Sequence, residues 1–180
     1  MFSIIEKKGK ILSIENGTYT VENLYSELTL GQSIAHDACM TINGFTSESY
    51  SFFVMLESLA KTNFSKKTDF FNLERSLKVS DRIDHFVSGH IDCIGLVKKR
   101  ELLDDGSLLL GINFPETFSK YTIIKSIALN GVSLTIAEKS DYILVSLIPL
   151  TQDWTNLEIN LSDCINIEFD LLGKYILNTK

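Results

Sequence analysis

The chain has 180 residues, 44% hydrophobic and 22% charged, with a formal net charge of −6 and no local basic patch, which marks a folded globular protein and excludes a nucleic-acid surface. No apolar run approaches the roughly 18 residues of a membrane span, and the first residues lack the basic start and apolar core of a signal peptide. Three widely spaced cysteines (Cys39, Cys93, Cys164) and three histidines, without Cys-x-x-Cys or His-x-x-x-His, predict a cytoplasmic protein with no disulfide framework and no metal site.

Residues 1–5 are short and apolar and read as a first strand. Residues 10–14 and 18–21 flank Asn16-Gly17, the strongest short-range hairpin signal. Residues 31–42 are apolar and β-branched, broken by a turn at Asp37, and residues 50–56 alternate as a strand. Good helix formers in 56–65 predict a short helix or turn, and 70–77 returns to strand. Residues 81–85 then link to a second half of the same order. Its parts are a strand over 87–97, a hairpin over 102–114 around Asp105-Gly106, and a turn or helix over 118–124. A broken apolar stretch over 126–136, a strand over 143–148, a turn or helix over 151–157 and a strand over 164–169 follow. Residues 171–177 read as a short helix. Turn signals every 8–12 residues or so predict a small barrel or sandwich in each half. Cys93 and Cys164 are assigned to the core, and Trp154 to the core in preference to a stacking platform for a planar ring.

One phrase occurs twice. Ser33-Ile-Ala-His36-Asp37-Ala-Cys39-Met40-Thr41 answers to Ser126-Ile-Ala-Leu-Asn130-Gly131-Val-Ser133-Leu134-Thr135, with Asn-Gly in place of the single Asp37. The likeness extends outward. Val54-Met55-Leu56-Glu57-Ser58 pairs with Leu147-Ile148-Pro149-Leu150-Thr151, Lys61-Thr62-Asn63 with Trp154-Thr155-Asn156, Asn72-Leu-Glu74 with Asn166-Ile-Glu168, and Ile4-Ile5-Glu6 with His90-Ile91-Asp92. A period of about ninety residues is the size of a small domain, longer than the 20–50 of a solenoid, so the chain reads as two similar domains in tandem. No flexible linker separates them, which predicts that they pack together.

The repeat singles out polar positions. Ser133 and Thr135 alternate on one strand and face one side. Cys39 is the counterpart of Ser133. His90 stands where the first copy has Ile4, and Asp170 where it has Ser76, so proton-handling groups gather in the second half.

These segments resemble the trimeric riboflavin synthases of the alpha-chain type over essentially the whole chain. The resemblance rests on the Met-Phe start with Ile4-Ile5-Glu6, both copies of the phrase, Asn72-Leu-Glu-Arg75, His85-Phe-Val-Ser-Gly89-His90-Ile-Asp92, Leu147-Ile-Pro149-Leu-Thr151 and Asn166-Ile-Glu-Phe-Asp170. It implies a mainly β fold of two six-stranded Greek-key barrels related by a pseudo-twofold axis, with short helices. The barrels would span 1–84 and 85–170, and a short helical tail 171–180. It implies a homotrimer without cofactor or metal that dismutates two molecules of 6,7-dimethyl-8-ribityllumazine into riboflavin and 5-amino-6-ribitylaminouracil, between the N-barrel of one subunit and the C-barrel of its neighbour.

The resemblance names Ser133, His90, Asp170 and Cys39 as catalytic. In the first half the substrate-binding set is Ser3, Ile4, Ile5, Cys39, Met40, Thr41, Phe53, Val54, Met55, Leu56, Glu57 and Ser58. In the second half it is Gly89, His90, Ile91, Lys125, Ser133, Leu134, Thr135, Ser146, Leu147, Ile148, Pro149, Leu150 and Thr151. Association with lumazine synthase has no signature readable in the sequence. The chain departs from the family by missing turn glycines: beside Ser3, at Asp37-Ala38, before His85 and between Lys125 and Ser126. Most fall in or before the first barrel, so the reading that competes with an enzyme is a relative that holds lumazine or flavin without turning it over. A weaker third is a barrel scaffold with no ligand.

Overall fold

The structure, a computed structural model, describes residues 2, 4–67, 69–81, 83, 85–157 and 159–178. The first half forms β1 (Lys7–Glu15), β2 (Thr18–Glu22), β3 (Ser33–His36), β4 (Cys39–Phe45), β5 (Ser49–Phe53) and β6 (Phe70–Arg75), with helix α1 (Leu56–Lys61) before β6. The second half forms β7 (Cys93–Leu102), β8 (Leu108–Asn113), β9 (Ser126–Leu129), β10 (Val132–Lys139), β11 (Ile143–Leu147) and β12 (Cys164–Phe169), with α2 (Pro149–Trp154) and a terminal α3 (Leu171–Asn178). Each half is a closed antiparallel barrel. The order β1-β2-β5-β4-β3-β6 recurs as β7-β8-β11-β10-β9-β12.

Closure has local causes. Asn16 (φ 48) and Gly17 (φ 81) take the left-handed geometry of a tight hairpin turn between β1 and β2, and Asn130 (φ 46) and Gly131 (φ 79) do so between β9 and β10. The register shifts after Ile11 in β1 and after Ile42 in β4, and at the corresponding Val97 in β7 and Ile136 in β10. Such bulges bend a strand and let a small sheet curl shut.

The two cores differ in chemistry. The first is aromatic: Tyr19, Phe52, Phe64 and Phe71 pack together, and Tyr50, Phe52 and Phe71 lie against His36, which has no exposed surface. His36 Nε2 meets Tyr50 Oη at 2.8 Å and Nδ1 meets the Ile34 carbonyl at 3.1 Å. Burial pushes its pKa down to about 3. The second core is aliphatic, built on Val97, Leu110, Ile112, Ile127, Leu129, Val145, Ile165 and Ile167.

An asparagine lattice joins the barrels in pseudo-twofold pairs. Asn63 N donates to Asn166 Oδ1 (2.6 Å), and its counterpart Asn156 N donates to Asn72 Oδ1. Asn166 N donates to Asn130 Oδ1, and Asn72 N to Asp37 Oδ1, both at 2.9 Å. The symmetry is incomplete. Asn72 Nδ2 reaches the Asn130 carbonyl at 3.0 Å, but Asn166 Nδ2 has no partner among the described residues. The first turn is a residue shorter, with Asp37 alone at φ 60. Asp37 is fully buried beside Lys67 Nζ at 2.6 Å.

Three expectations change. Residues 2, 4 and 5 and the start of 87–97 are not strands: among the described residues these segments make one bridge, Phe2 to Val87, and β7 begins at Cys93; positions 1 and 3 lie outside the described residues. The Ile4, Ser88 and Gly89 amides are taken by side-chain carboxylates in place of a neighbouring strand. Trp154 is not core but 64% exposed, because it ends the surface helix α2. Cys164 is part-exposed at the start of β12, where Lys66 Nζ donates to its Sγ at 2.9 Å; Cys93 is buried, and all three thiols are free. Among the described residues no helix is long and apolar enough to cross a membrane.

Candidate functional site: two related clefts

The duplicated phrase sets the site. In the first barrel Ser33 pairs with Thr41 and Ala35 with Cys39; in the second Ser126 pairs with Thr135 and Ala128 with Ser133. Cys39 and Ser133 are therefore equivalent in register as well as in sequence.

The segments leading into β1 and β7 cross at the pseudo-twofold axis. Phe2 N donates to the Val87 carbonyl (2.7 Å) and Val87 N to that of Phe2 (3.3 Å). Phe2, Val87, Ala35 and Ala128 pack there as a small buried cluster with Cys39 against it. The last strand of each barrel fixes its own leading segment with a buried glutamate. Glu168 accepts from Ser88 N (2.7 Å), Ser88 Oγ (2.6 Å) and Gly89 N (2.8 Å), and Glu74 Oε1 accepts from Ile4 N (2.7 Å). Thus Ile4 occupies the place of Gly89, and the missing turn glycine is absorbed between Ile4 and Glu6.

Each crossing segment then walls a cleft on the other barrel. The first cleft, about 160 Å³, lies between the hairpin at Ala38, Cys39 and Met40, the helix α1 side chains Glu57, Ser58 and Lys61 with Thr62 behind, and Gly89-His90-Ile91. Gly89, at φ 79, is in close contact: a Cβ there would sit 2.7 Å from Cys39 Cβ, and its carbonyl accepts from Cys39 N at 2.8 Å. The second cleft, about 240 Å³, lies between Gly131, Val132 and Ser133, the α2 residues Leu150, Thr151 and Trp154 with Thr155 behind, and Ile4, Ile5 and His85. The clefts share no lining residue.

Sequence reasoning grouped His90 with Ser133; the structure puts His90 beside Cys39, because the leading segment of the second barrel crosses to the first. The histidine on the Ser133 cleft is His85. Asp170 shares a shallow depression with Ser133 and His85, and its Oδ1 caps α3 by accepting from Gly173 N at 2.8 Å. Burial pushes the Cys39 thiol up, so it stays neutral near pH 7 and offers a soft S–H in place of a thiolate.

The remaining sequence candidates fall around these clefts. Thr41 and Thr135 lie two residues along β4 and β10 from Cys39 and Ser133, both exposed, with Leu134 between Ser133 and Thr135. Val54 and Leu147 are buried in the two cores. Phe53, Met55 and Leu56 are exposed before and at the start of α1, as Ser146, Ile148 and Pro149 are at α2. Lys125 is exposed at φ 60 ahead of β9 and lines neither cleft. Ser3 lies outside the described residues.

Sequence reasoning passed over Glu74 and Glu168, which fix the walls, and Lys61, which lines one cleft; Trp154, weighed as a stacking platform and assigned to the core, lines the other. The repeated Asn-x-Glu was the available signal for the glutamates: a buried charge kept in both copies needs a partner.

Comparison with known proteins adds the following. The sequence model of the Lumazine binding domain family matches residues 88–170. The chain is 34% identical over 186 residues to a riboflavin synthase of Actinobacillus pleuropneumoniae, covering 96% of this chain and 86% of that one. It is 32% identical, with the same coverage, to a riboflavin synthase of Bacillus subtilis (strain 168). The crystal structure of LumP complexed with riboflavin shares the fold, with a TM-score of 0.82 and 20% identity over 94% of this chain and 99% of that one. LumP complexed with 6,7-dimethyl-8-(1'-D-ribityl) lumazine gives 0.78 and 21% over 93% and 98%.

Proposed function

The chain belongs to the riboflavin synthase family, and from that premise we propose that it is a transferase that dismutates two molecules of 6,7-dimethyl-8-ribityllumazine into riboflavin and 5-amino-6-ribitylaminouracil. The observation that carries the reading is the pair of equivalent clefts, one per barrel, each made of hairpin, short helix and crossing segment. One substrate used twice wants two similar pockets, and holding both rings in reacting geometry makes the step effectively unimolecular.

One lumazine gives up a four-carbon unit and the other receives it through its deprotonated C7 methyl. His90, exposed on the wall beside Cys39, is placed to move that proton. Ser133 offers a hydroxyl to the second heterocycle, with Asp170 and His85 nearby. Cys39 supplies a neutral wall.

The clefts of one chain share no lining residue, and in this reading the two rings meet where the Cys39 cleft of one copy faces the Ser133 cleft of another. A homotrimer supplies that arrangement. The exposed Met55 and Leu56 beside one cleft, and Ile148 and Leu150 beside the other, are apolar surface for such a contact. In this reading residues 1–84 and 85–170 are the two lumazine-binding barrels, 171–180 the tail, and the three free thiols fit the cytoplasm.

The test is to incubate the purified chain with 6,7-dimethyl-8-ribityllumazine and follow riboflavin, with light scattering in parallel. Riboflavin formed by a trimer is expected; activity from a 20.3 kDa monomer would refute the shared site. The fold shared with LumP favours one second reading, a protein that holds lumazine without converting it. Saturable lumazine binding without riboflavin formation would establish that alternative.

A further inference from the structure

The two short helices end in different residues. Lys61 closes α1 and Trp154 closes α2, and each lines its own cleft. Lys61 is drawn back along its helix to Glu57, at 2.6 Å. Trp154 is the only tryptophan of the chain and is 64% exposed, an open placement for a large apolar ring.

The backbone beneath Trp154 is held on both sides. The Asp153 carbonyl accepts from Lys8 Nζ at 2.9 Å. Thr155 is buried, and its N (3.1 Å) and Oγ1 (2.6 Å) both donate to the Thr151 carbonyl. The indole is thus an exposed ring on a fixed ledge. Ile4, Ile5 and Ser133 line the same cleft. A planar heterocycle held in a cleft with aliphatic and aromatic lining gains from offset stacking on the indole as well as from burial.

We propose that Trp154 stacks on the lumazine ring in the Ser133 cleft and makes that cleft the tighter of the two, so that the two substrate molecules are sorted before they react. The inference rests on the lumazine reading of the clefts. It assigns the sorting to the Trp154–Lys61 difference, which neither the barrel nor the repeat requires.

Riboflavin, the unreactive product, serves as the probe of the full chain, followed by calorimetry and by tryptophan emission together. Filling the tighter site is expected to quench more than about half of the emission, since no other tryptophan contributes. Trp154→Phe keeps a stacking face and should bind within about threefold of the parent; Trp154→Ala and Trp154→Lys should each weaken one site about tenfold and leave the other. Calorimetric binding with unchanged emission, or unchanged affinity at both sites in Trp154→Ala, overturns the sorting role and leaves the lumazine reading standing. No calorimetric binding of riboflavin or of 6,7-dimethyl-8-ribityllumazine overturns both.

Discussion

Replacing Glu168 by glutamine changes little in size and much in hydrogen bonding. The carboxylate is 3% exposed and accepts three bonds of 2.6–2.8 Å, from Ser88 N, Ser88 Oγ and Gly89 N. A carboxylate can accept at both oxygens; glutamine keeps one acceptor and turns an NH₂ toward the other site. The less costly orientation leaves the oxygen on Ser88 and sets the amide against Gly89 N–H, donor against donor. One charge-assisted bond is lost and a buried donor is orphaned, about 2–3 kcal/mol together. For a chain of this length that is a fall of about 5–10 °C in Tm. Gly89 is also the residue whose carbonyl holds Cys39 N, so the wall carrying His90 should loosen, and turnover should fall about tenfold. Thermal denaturation by circular dichroism at pH 7, with turnover on the same samples, reads both. A Glu168→Gln protein within about 0.5 kcal/mol of the parent and fully active would show that the crossing segment is held by something else.

Other consequences concern the buried groups and the clefts. His36, with a folded pKa near 3, stays neutral where the unfolded chain takes up a proton, so its stabilisation is present above about pH 6.5 and is lost as pH falls toward 3, by up to about 1.4 kcal/mol per pH unit. His36→Leu, which installs the residue of the second copy, should flatten that part of the acid unfolding profile; an unchanged slope would count against it. Lys67→Met strands the fully buried Asp37 carboxylate and should cost about 3–5 kcal/mol in urea denaturation, most of it recovered when Asp37→Asn is added. Turnover should drop about 10²-fold in His90→Ala and in Ser133→Ala while lumazine binding persists, and less in Cys39→Ser. Since His90 and Cys39 share a cleft, their double-mutant cycle should show coupling above about 0.5 kcal/mol, and strict additivity would argue that they act apart.

The sequence by itself determined what neighbouring residues decide. Asn16-Gly17 and Asn130-Gly131 name their turns because few other pairs take positive φ at both positions, and the alternation of the repeated phrase aligned Cys39 with Ser133 before any pairing was known. It also set the order of strands and helices, since the two copies read each other. Tertiary structure decided what depends on which segment lies across the chain. Residues 1–5 and 87–92 have the apolar pattern of strands, but Glu74 and Glu168, some seventy to eighty positions away, take the Ile4, Ser88 and Gly89 amides and hold these as parts of the cleft walls. The same crossing moved His90 to the Cys39 side and brought His85 to Ser133. Trp154 reads as core on hydrophobicity alone, yet it sits at the open end of α2. Periodicity records that a face will be covered; what covers it depends on contacts between distant segments, and the clefts are made of those contacts.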